Sequence, residues 1–280
     1  MNAKERRFEA AKASLTGDRK CNQDRCLVLC GGETVLLGLA DGLGGHPRGE
    51  VAAQLLIDVC ESLFRRARKP LIDPERFMLQ CIGKAHQAII RFGRRQAPPV
   101  APRTTAVLAV IQDGTAFWAH VGDSRLYLIR MGKVHHQTRD HAQTRFVRQS
   151  ASEASRPRSS LTRCLGGLEQ PPTTTCGAPT RLQQHDTIVL CSDGLWGQVS
   201  TGTLAAAFDD NRSTIDGKLD SLVKAAATRP NSDNVTAVAL RWLADTAASA
   251  DQAASPQDPQ LDQAIQHLKS MLAKTRDSQP

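Results

Sequence analysis

The sequence predicts an α+β layered sandwich, and three observations lead there. Short β-rich runs stand in adjacent pairs, helices are inserted between them in blocks, and the regular strand-helix alternation of a parallel sheet is missing. At 280 residues the chain can bury a sizeable core. Sandwiches of this length often remain one unit, so one main domain is expected.

The β-rich runs are residues 25–29, 34–40, 105–112, 116–121, 126–130, 187–191 and 235–241, several ending at Gly or Asp, as a turn requires. Between the second and third lie two helical stretches, residues 50 to about 66 and 74 to about 94. In the first of them Val51, Leu55, Val59 and Leu63 repeat at every fourth position. A later helix is expected over residues 213 to about 227. Residues 140 to about 163 are polar, rich in Ser and Arg and weakly periodic, so they read as a long mobile excursion, functional or disordered. After Leu243 the chain turns rich in Ala, Gln, Asp and Pro. Leu261, Ile265, Leu268 and Leu272 then fall on one helical face, a docking helix or a short helix of its own domain.

Apolar residues make up 40% of the chain and charged residues 23%, the balance of an ordinary globular protein. The N-terminus is polar and no stretch approaches the roughly 20 apolar residues of a membrane span, so a cytoplasmic protein with no membrane insertion is expected. Cys26, Cys30, Cys60, Cys81 and Cys191 sit in apolar runs without knuckle spacing and read as small buried thiols. A net charge of +8 would suit nucleic acid, but one tyrosine and three tryptophans leave few stacking platforms. No nucleic acid is expected; the basic balance also suits an acidic, phosphorylated protein.

The strongest local signal runs from Leu37 to Pro47, where a buried strand leads into Asp41 and then a glycine-rich turn. A carboxylate at a strand's end is held in position, and glycines let backbone carbonyls approach a cation. The turn is not a dinucleotide loop, because Pro47 replaces the third glycine, and it lacks the lysine of a P-loop. A second apolar strand delivers Ser192-Asp193-Gly194 in the same way. Asp123 follows a third strand, and Asp233 stands just before the last one. Singly, each is more often a turn residue or cap than a ligand. Together they raise one another's pKa unless cations sit among them, and an all-oxygen set implies Mg²⁺ or Mn²⁺ rather than zinc.

These motifs stand in a recognisable order: Arg19 to Asp24, Asp41 to Glu50, Thr104-Thr105-Ala106, Gly122-Asp123-Ser124-Arg125, Thr138 to His141, Leu161 to Gly166, Ser192 to Leu195, and Asp233 to Thr236. In that order the chain resembles the metal-dependent protein phosphatase family, type 2C, in its bacterial form, over residues from about 14 to 242. The resemblance implies a four-layer sandwich, two packed antiparallel sheets flanked by helices on both faces, with the site at one edge. It also implies an N-terminal extension over 1–13, a catalytic domain over 14–243 with a flap at about 140–163, and a polar linker with a possible amphipathic helix over 244–280.

Carried over by position, Asp41 bridges two metals and the Gly42 carbonyl binds one of them. Asp193 and Asp233 complete the first metal's shell, Asp24 stands on the second metal's side, and Asp123 helps hold a third. Arg19 grips the substrate phosphate through its guanidinium fork. Water bridging two cations loses its proton readily and attacks phosphorus in line. His46 titrates in the range needed to protonate the leaving alkoxide, as does a metal-bound water, but the eukaryotic members place that histidine directly after Asp-Gly, where this chain has Leu43. Gln23 replaces a glutamate of many relatives. No cysteine sits in the Cys-x5-Arg phosphate loop of a cysteine phosphatase.

The flap region carries Arg139, Arg145, Arg148, Arg156, Arg158 and Arg163 against Asp140 and Glu153, a charge balance suited to acidic phosphopeptides. Glu153 is also a candidate for a further acid at the third metal. The implied function is a monomeric phosphoserine/phosphothreonine phosphatase that opposes a cognate serine/threonine kinase. The alternative is a phosphatase-like regulatory module that binds phosphoproteins without turnover; retention of all four acids favours the enzyme.

Overall fold

The computed structural model describes residues 7–44, 48–147, 156–209 and 213–244. In chain order they form β1 (Phe8–Leu15), β2 (Asp24–Gly31), β3 (Thr34–Asp41), α1 (Gly49–Arg66), α2 (Pro74–Arg94), β4 (Arg103–Thr104), β5 (Ala106–Gln112), β6 (Thr115–Val121), β7 (Arg125–Arg130) and β8 (Lys133–Gln137). There follow β9 (Ala142–Val147), β10 (Arg156–Leu161), β11 (Leu165–Gly166), β12 (Thr175–Cys176), β13 (Thr180–Arg181), β14 (Thr187–Cys191), α3 (Asp193–Trp196), α4 (Thr201–Ala207), α5 (Ile215–Ala227) and β15 (Val235–Trp242).

Two antiparallel sheets dominate. One has the order β1-β15-β14-β7-β8, the other β12-β6-β5-β3-β2 with β13 also on β6. Their central strands β3, β5, β14 and β15 are buried on both faces, which explains why they read as unbroken apolar runs. Alternate residues go to different layers. In β3, Val35, Leu37 and Leu39 face the second sheet, where they meet Leu128, Leu190 and Val238 in the central core. Leu36 and Ala40 face the other way, onto Leu56 and Phe64 of α1 and Met78 and Ile82 of α2. The five-stranded sheet turns Tyr127, Val189 and Ala237 outward against Leu195, Leu204 and Leu219 of α3, α4 and α5. These three apolar layers make the four-layer sandwich.

The helices start where local chemistry directs. Asp73 accepts the Arg76 N–H at 2.9 Å with Pro74 in the first turn of α2, and Thr214 accepts the Gly217 N–H at the start of α5. No described helix is long and apolar enough to cross a membrane.

Three features differ from the expectations. Residues 8–15, most of them assigned to an extension, are a full sheet strand: β1 pairs with β15 from Phe8↔Trp242 to Leu15↔Val235. As an edge strand it is largely solvated and its sequence lacks an apolar run. The flap contains regular structure, because β9 and β10 pair as an antiparallel ribbon from Ala142↔Leu161 to Val147↔Arg156. Cys30 is exposed on the edge strand β2, whereas Cys60, Cys81 and Cys191 are buried as expected. Glu153 and the C-terminal helical face lie outside the described residues.

Candidate active site

Both Asp-Gly tips end strands beside one another at the same edge of the sandwich. Asp41 closes β3, opposite Asp24 at the start of β2. Its backbone is fixed twice, with the N–H donating to Thr105 Oγ1 at 3.0 Å and the carbonyl accepting from Thr104 Oγ1 at 2.9 Å. Asp193 opens α3 directly after β14, and Asp233 precedes β15. The glycines are required by contact. A Cβ on Gly42 would lie 2.5 Å from the Gly49 backbone, and one on Gly194 would run into the Asn234 carbonyl.

A cavity of about 430 Å³ collects these elements. Arg19, Asp41, Gly42, Asp123, Asp193 and Asp233 all line it, together with Asp18, Lys20, Gln23 and Asn234. Asp24 sits just behind, buried, with Oδ2 accepting from Ser192 Oγ at 2.8 Å and Oδ1 without a partner. His46 lies outside the described residues. A second cavity of about 500 Å³ at the flap root is larger, but its only acid, Asp140, is bound by Arg125. It offers no convergent carboxylates.

The electrostatics of the first cavity are unfavourable for its acids. Burial, then the charges of Asp24, Asp193, Asp123 and Asp233, raise the Asp41 carboxyl well above the usual range. Burial, joined by Asp123 and Asp233, pushes Asp193 up to about 7, and burial pushes Asp24 up to about 6 and raises Asp123. Arg19 donates to Asp233 Oδ2 at 2.7 Å, and that bond raises the guanidinium's own pKa. The acids converge without closing on a point: among the described residues no three Asp, Glu, His or Cys side chains are gathered closely enough to hold one ion as they stand. Drawing them closer increases their mutual repulsion, which only positive charge offsets.

Some residues that shape the site had no role assigned from sequence. Asn234 is a staple, with Oδ1 accepting the Gln23 N–H at 2.8 Å and Nδ2 donating to the carbonyls of Thr16 and Cys21 at 2.8 and 3.0 Å. Ser192 links Asp24 to β15, and its Oγ accepts the Thr236 N–H at 3.0 Å. Their signal in the sequence was their place beside Asp233 and Asp193. Gln23 donates its side-chain N–H to Glu50 at 3.3 Å. Cys60 and Arg66 have Cys-x5-Arg spacing but lie inside α1, so they form no phosphate loop. Hydrogen bonding with Cys81 and burial hold the Cys60 thiol protonated, so it is no nucleophile.

The comparisons with known proteins agree with this geometry. The family model for protein phosphatase 2C matches residues 13–235. Serine/threonine phosphatase Stp of Listeria innocua is 26% identical over 206 residues, covering 71% of this chain and 81% of that relative. The solved S. agalactiae serine/threonine phosphatase superposes with a TM-score of 0.71 at 26% identity, covering 85% of this chain and 100% of the other. The catalytic domain of PstP, solved in complex with two manganese ions, gives 0.67 at 28% identity, covering 85% and 99%. The chain belongs to the protein phosphatase 2C family and is a serine/threonine protein phosphatase of the bacterial form.

Proposed function

We propose that turnover by this phosphatase depends on Mn²⁺ or Mg²⁺ held by its aspartates, and that it acts as a monomer against the product of a cognate serine/threonine kinase. The observation that carries the reading is the convergence of Asp41, Asp123, Asp193 and Asp233 on one cavity, with Asp24 behind them carrying a buried, unpartnered oxygen. An all-oxygen donor set, in which burial raises the pKa of Asp24, Asp41, Asp123 and Asp193, fits hard divalent cations. Asp41, the Gly42 carbonyl, Asp193 and Asp233 would hold the core pair with Asp24 on the second ion's side, and Asp123 would hold a third, outer ion. Bound cations supply Lewis-acid stabilisation of the phosphoryl oxygens and water of lowered pKa.

The chain's own residues do the rest. Arg19, exposed at the cavity rim, binds and orients the phosphate, with guanidinium N–H groups left over from its bond to Asp233. Thr104 and Thr105 keep the Asp41 backbone from turning as charge changes around it. His46, which follows Asp41 closely in sequence, is the candidate side chain to return a proton to the leaving alkoxide. Among the described residues Cys21 is the one cysteine lining the cavity, and it stands outside any Cys-x5-Arg spacing, so a covalent phospho-enzyme is not invoked.

One assay tests the reading: hydrolysis of a small phosphate ester and a phosphothreonine peptide, with and without Mn²⁺, by the native protein, Asp193→Asn and Asp123→Asn. Turnover should require the metal, fall at least about a hundredfold in Asp193→Asn, and fall less in Asp123→Asn. Full activity in excess EDTA would refute metal dependence. Metal binding and phosphopeptide binding without turnover would favour the regulatory module instead.

A further inference from the structure

Behind the cavity, a chain of contacts ties Asp123 to the residue at which the flap begins. The Trp196 indole Nε1–H donates to the Asp123 carbonyl at 3.0 Å. The Arg125 guanidinium lies over that same indole, 3.6 Å from the ring centroid. Its Nε and Nη2 grip both oxygens of Asp140 at 2.8 Å, and Nη1 donates to the Tyr127 hydroxyl at 3.2 Å. On the other flank His141 brackets Gly122, whose N–H donates to the His141 Nδ1 at 3.2 Å and whose carbonyl accepts the His141 N–H at 2.9 Å. Trp196 also ends the helical turn that Asp193 begins.

None of Arg125, Trp196, Asp140 or His141 lines the acid cavity. They act on it through the backbone. A four-residue helix has no intrinsic stability, so α3 keeps its place through what packs on it. The stacked guanidinium and the indole bond fix α3 against the Gly122-Asp123 turn, and with it the distance between the two carboxylates those elements carry. A planar fork held along one edge by Asp140, at its other nitrogen by Tyr127, and capped by an aromatic face has one geometry, which a lysine cannot reproduce.

We infer that Arg125 and Trp196 are positioning residues for the outer cation, setting Asp123 relative to Asp193 and joining both to the root of the flap. The inference rests on the metal-dependent reading above. It assigns a task to two side chains that touch neither substrate nor metal, and it makes the outer site the one most sensitive to their loss. Groups behind metal ligands are commonly worth about ten- to a hundredfold in affinity.

The test is a metal titration followed by spectroscopy as well as by calorimetry. The protein has three tryptophans, so an ¹⁵N-labelled sample gives three indole N–H signals, and Trp196→Phe assigns one by deletion. Mg²⁺ should shift the Trp196 signal in the native protein. In calorimetry with Mn²⁺, Arg125→Lys should leave the tighter binding steps within about twofold and weaken the weakest step about tenfold. Trp196→Phe, which keeps an aromatic face but loses the N–H donor, should do the same, and it keeps the question open to measurement if Arg125→Lys fails to fold. Equal weakening of all steps, unchanged binding in both variants, or a Trp196 signal indifferent to Mg²⁺ in a native protein that binds it, would each overturn the assignment. If the native protein binds no divalent cation, the metal-dependent reading falls first and takes the assignment with it.

Discussion

Asp24 and Asp41 stand directly opposite one another across β2 and β3, two acids at the same end of one antiparallel pair. Like charges placed so are destabilising, and here Asp24 is buried and Asp41 half-buried, with both carboxyls raised above the usual range. The protein holds them there against its own stability, a cost that the proposed cations would offset.

The cost has a sign. Asp24 titrates at about 6 in the folded protein, above its ordinary value near 3.9, so its favourable contribution is complete below about pH 4 and is lost as pH rises through 6. Asp24→Asn should therefore stabilise the protein in EDTA at pH 8 by about 1–3 kcal/mol, a rise in Tm of about 3–8 °C. The gain should shrink toward pH 4, and Mn²⁺ should raise the native Tm more than the variant's. Thermal melts at the two pH values check it; an equal gain at both would exclude repulsion and burial of charge as the cause.

Arg19 is bound to Asp233 at 2.7 Å and remains more than half exposed, so it has both a fixed anchor and open donors. Arg19→Lys should raise KM for a phosphothreonine peptide about tenfold, ~1.4 kcal/mol, with a smaller change in kcat, because an ammonium cannot match two phosphate oxygens. Steady-state kinetics at saturating Mn²⁺ decide it. An unchanged KM would remove Arg19 from phosphate binding.

Asn234 satisfies three backbone groups of the loop between β1 and β2 with one amide. Asn234→Ala should lower stability by about 2–3 kcal/mol and raise KM as well, since the released loop carries Arg19. Denaturant melts and peptide kinetics on one sample would show both effects; stability loss at constant KM would confine Asn234 to a purely structural part.

Replacing Arg145, Arg148, Arg156 and Arg158 with serine should slow turnover of an acidic phosphopeptide and spare a small phosphate ester. The difference should fade as salt rises, because exposed charges are screened beyond about 8 Å at physiological ionic strength. Equal losses on both substrates would end the idea of a basic flap recruiting acidic segments.

Much of the architecture was legible because β3, β5, β14 and β15 are buried on both faces and so appear as apolar runs, each of the first and third ending in Asp-Gly. The acids were legible for the same reason, since a carboxylate at the tip of such a run has no role in the core. What escaped has equally physical causes. β1 pairs on one side only and mixes Lys12 and Glu9 with alanines, so it lacks apolar contrast. α3 is a single turn that exists through Ser192 and its packing, below the length at which periodicity shows. The bonds of Asn234, Trp196 and Arg125 join residues far apart in sequence, and no local pattern announces such pairs.

The sheet order β1-β15-β14 places the last strand of the domain between the first and the second-last. A ribosome delivers strands from the N-terminal end, so β1 must wait, unpaired within its sheet, until residue 242 has emerged. Asp233 stands just ahead of that same strand, so the sheet and the acid cluster are completed together. Until that strand emerges, the five-stranded sheet stays open and the cavity lacks one of the acids that line it.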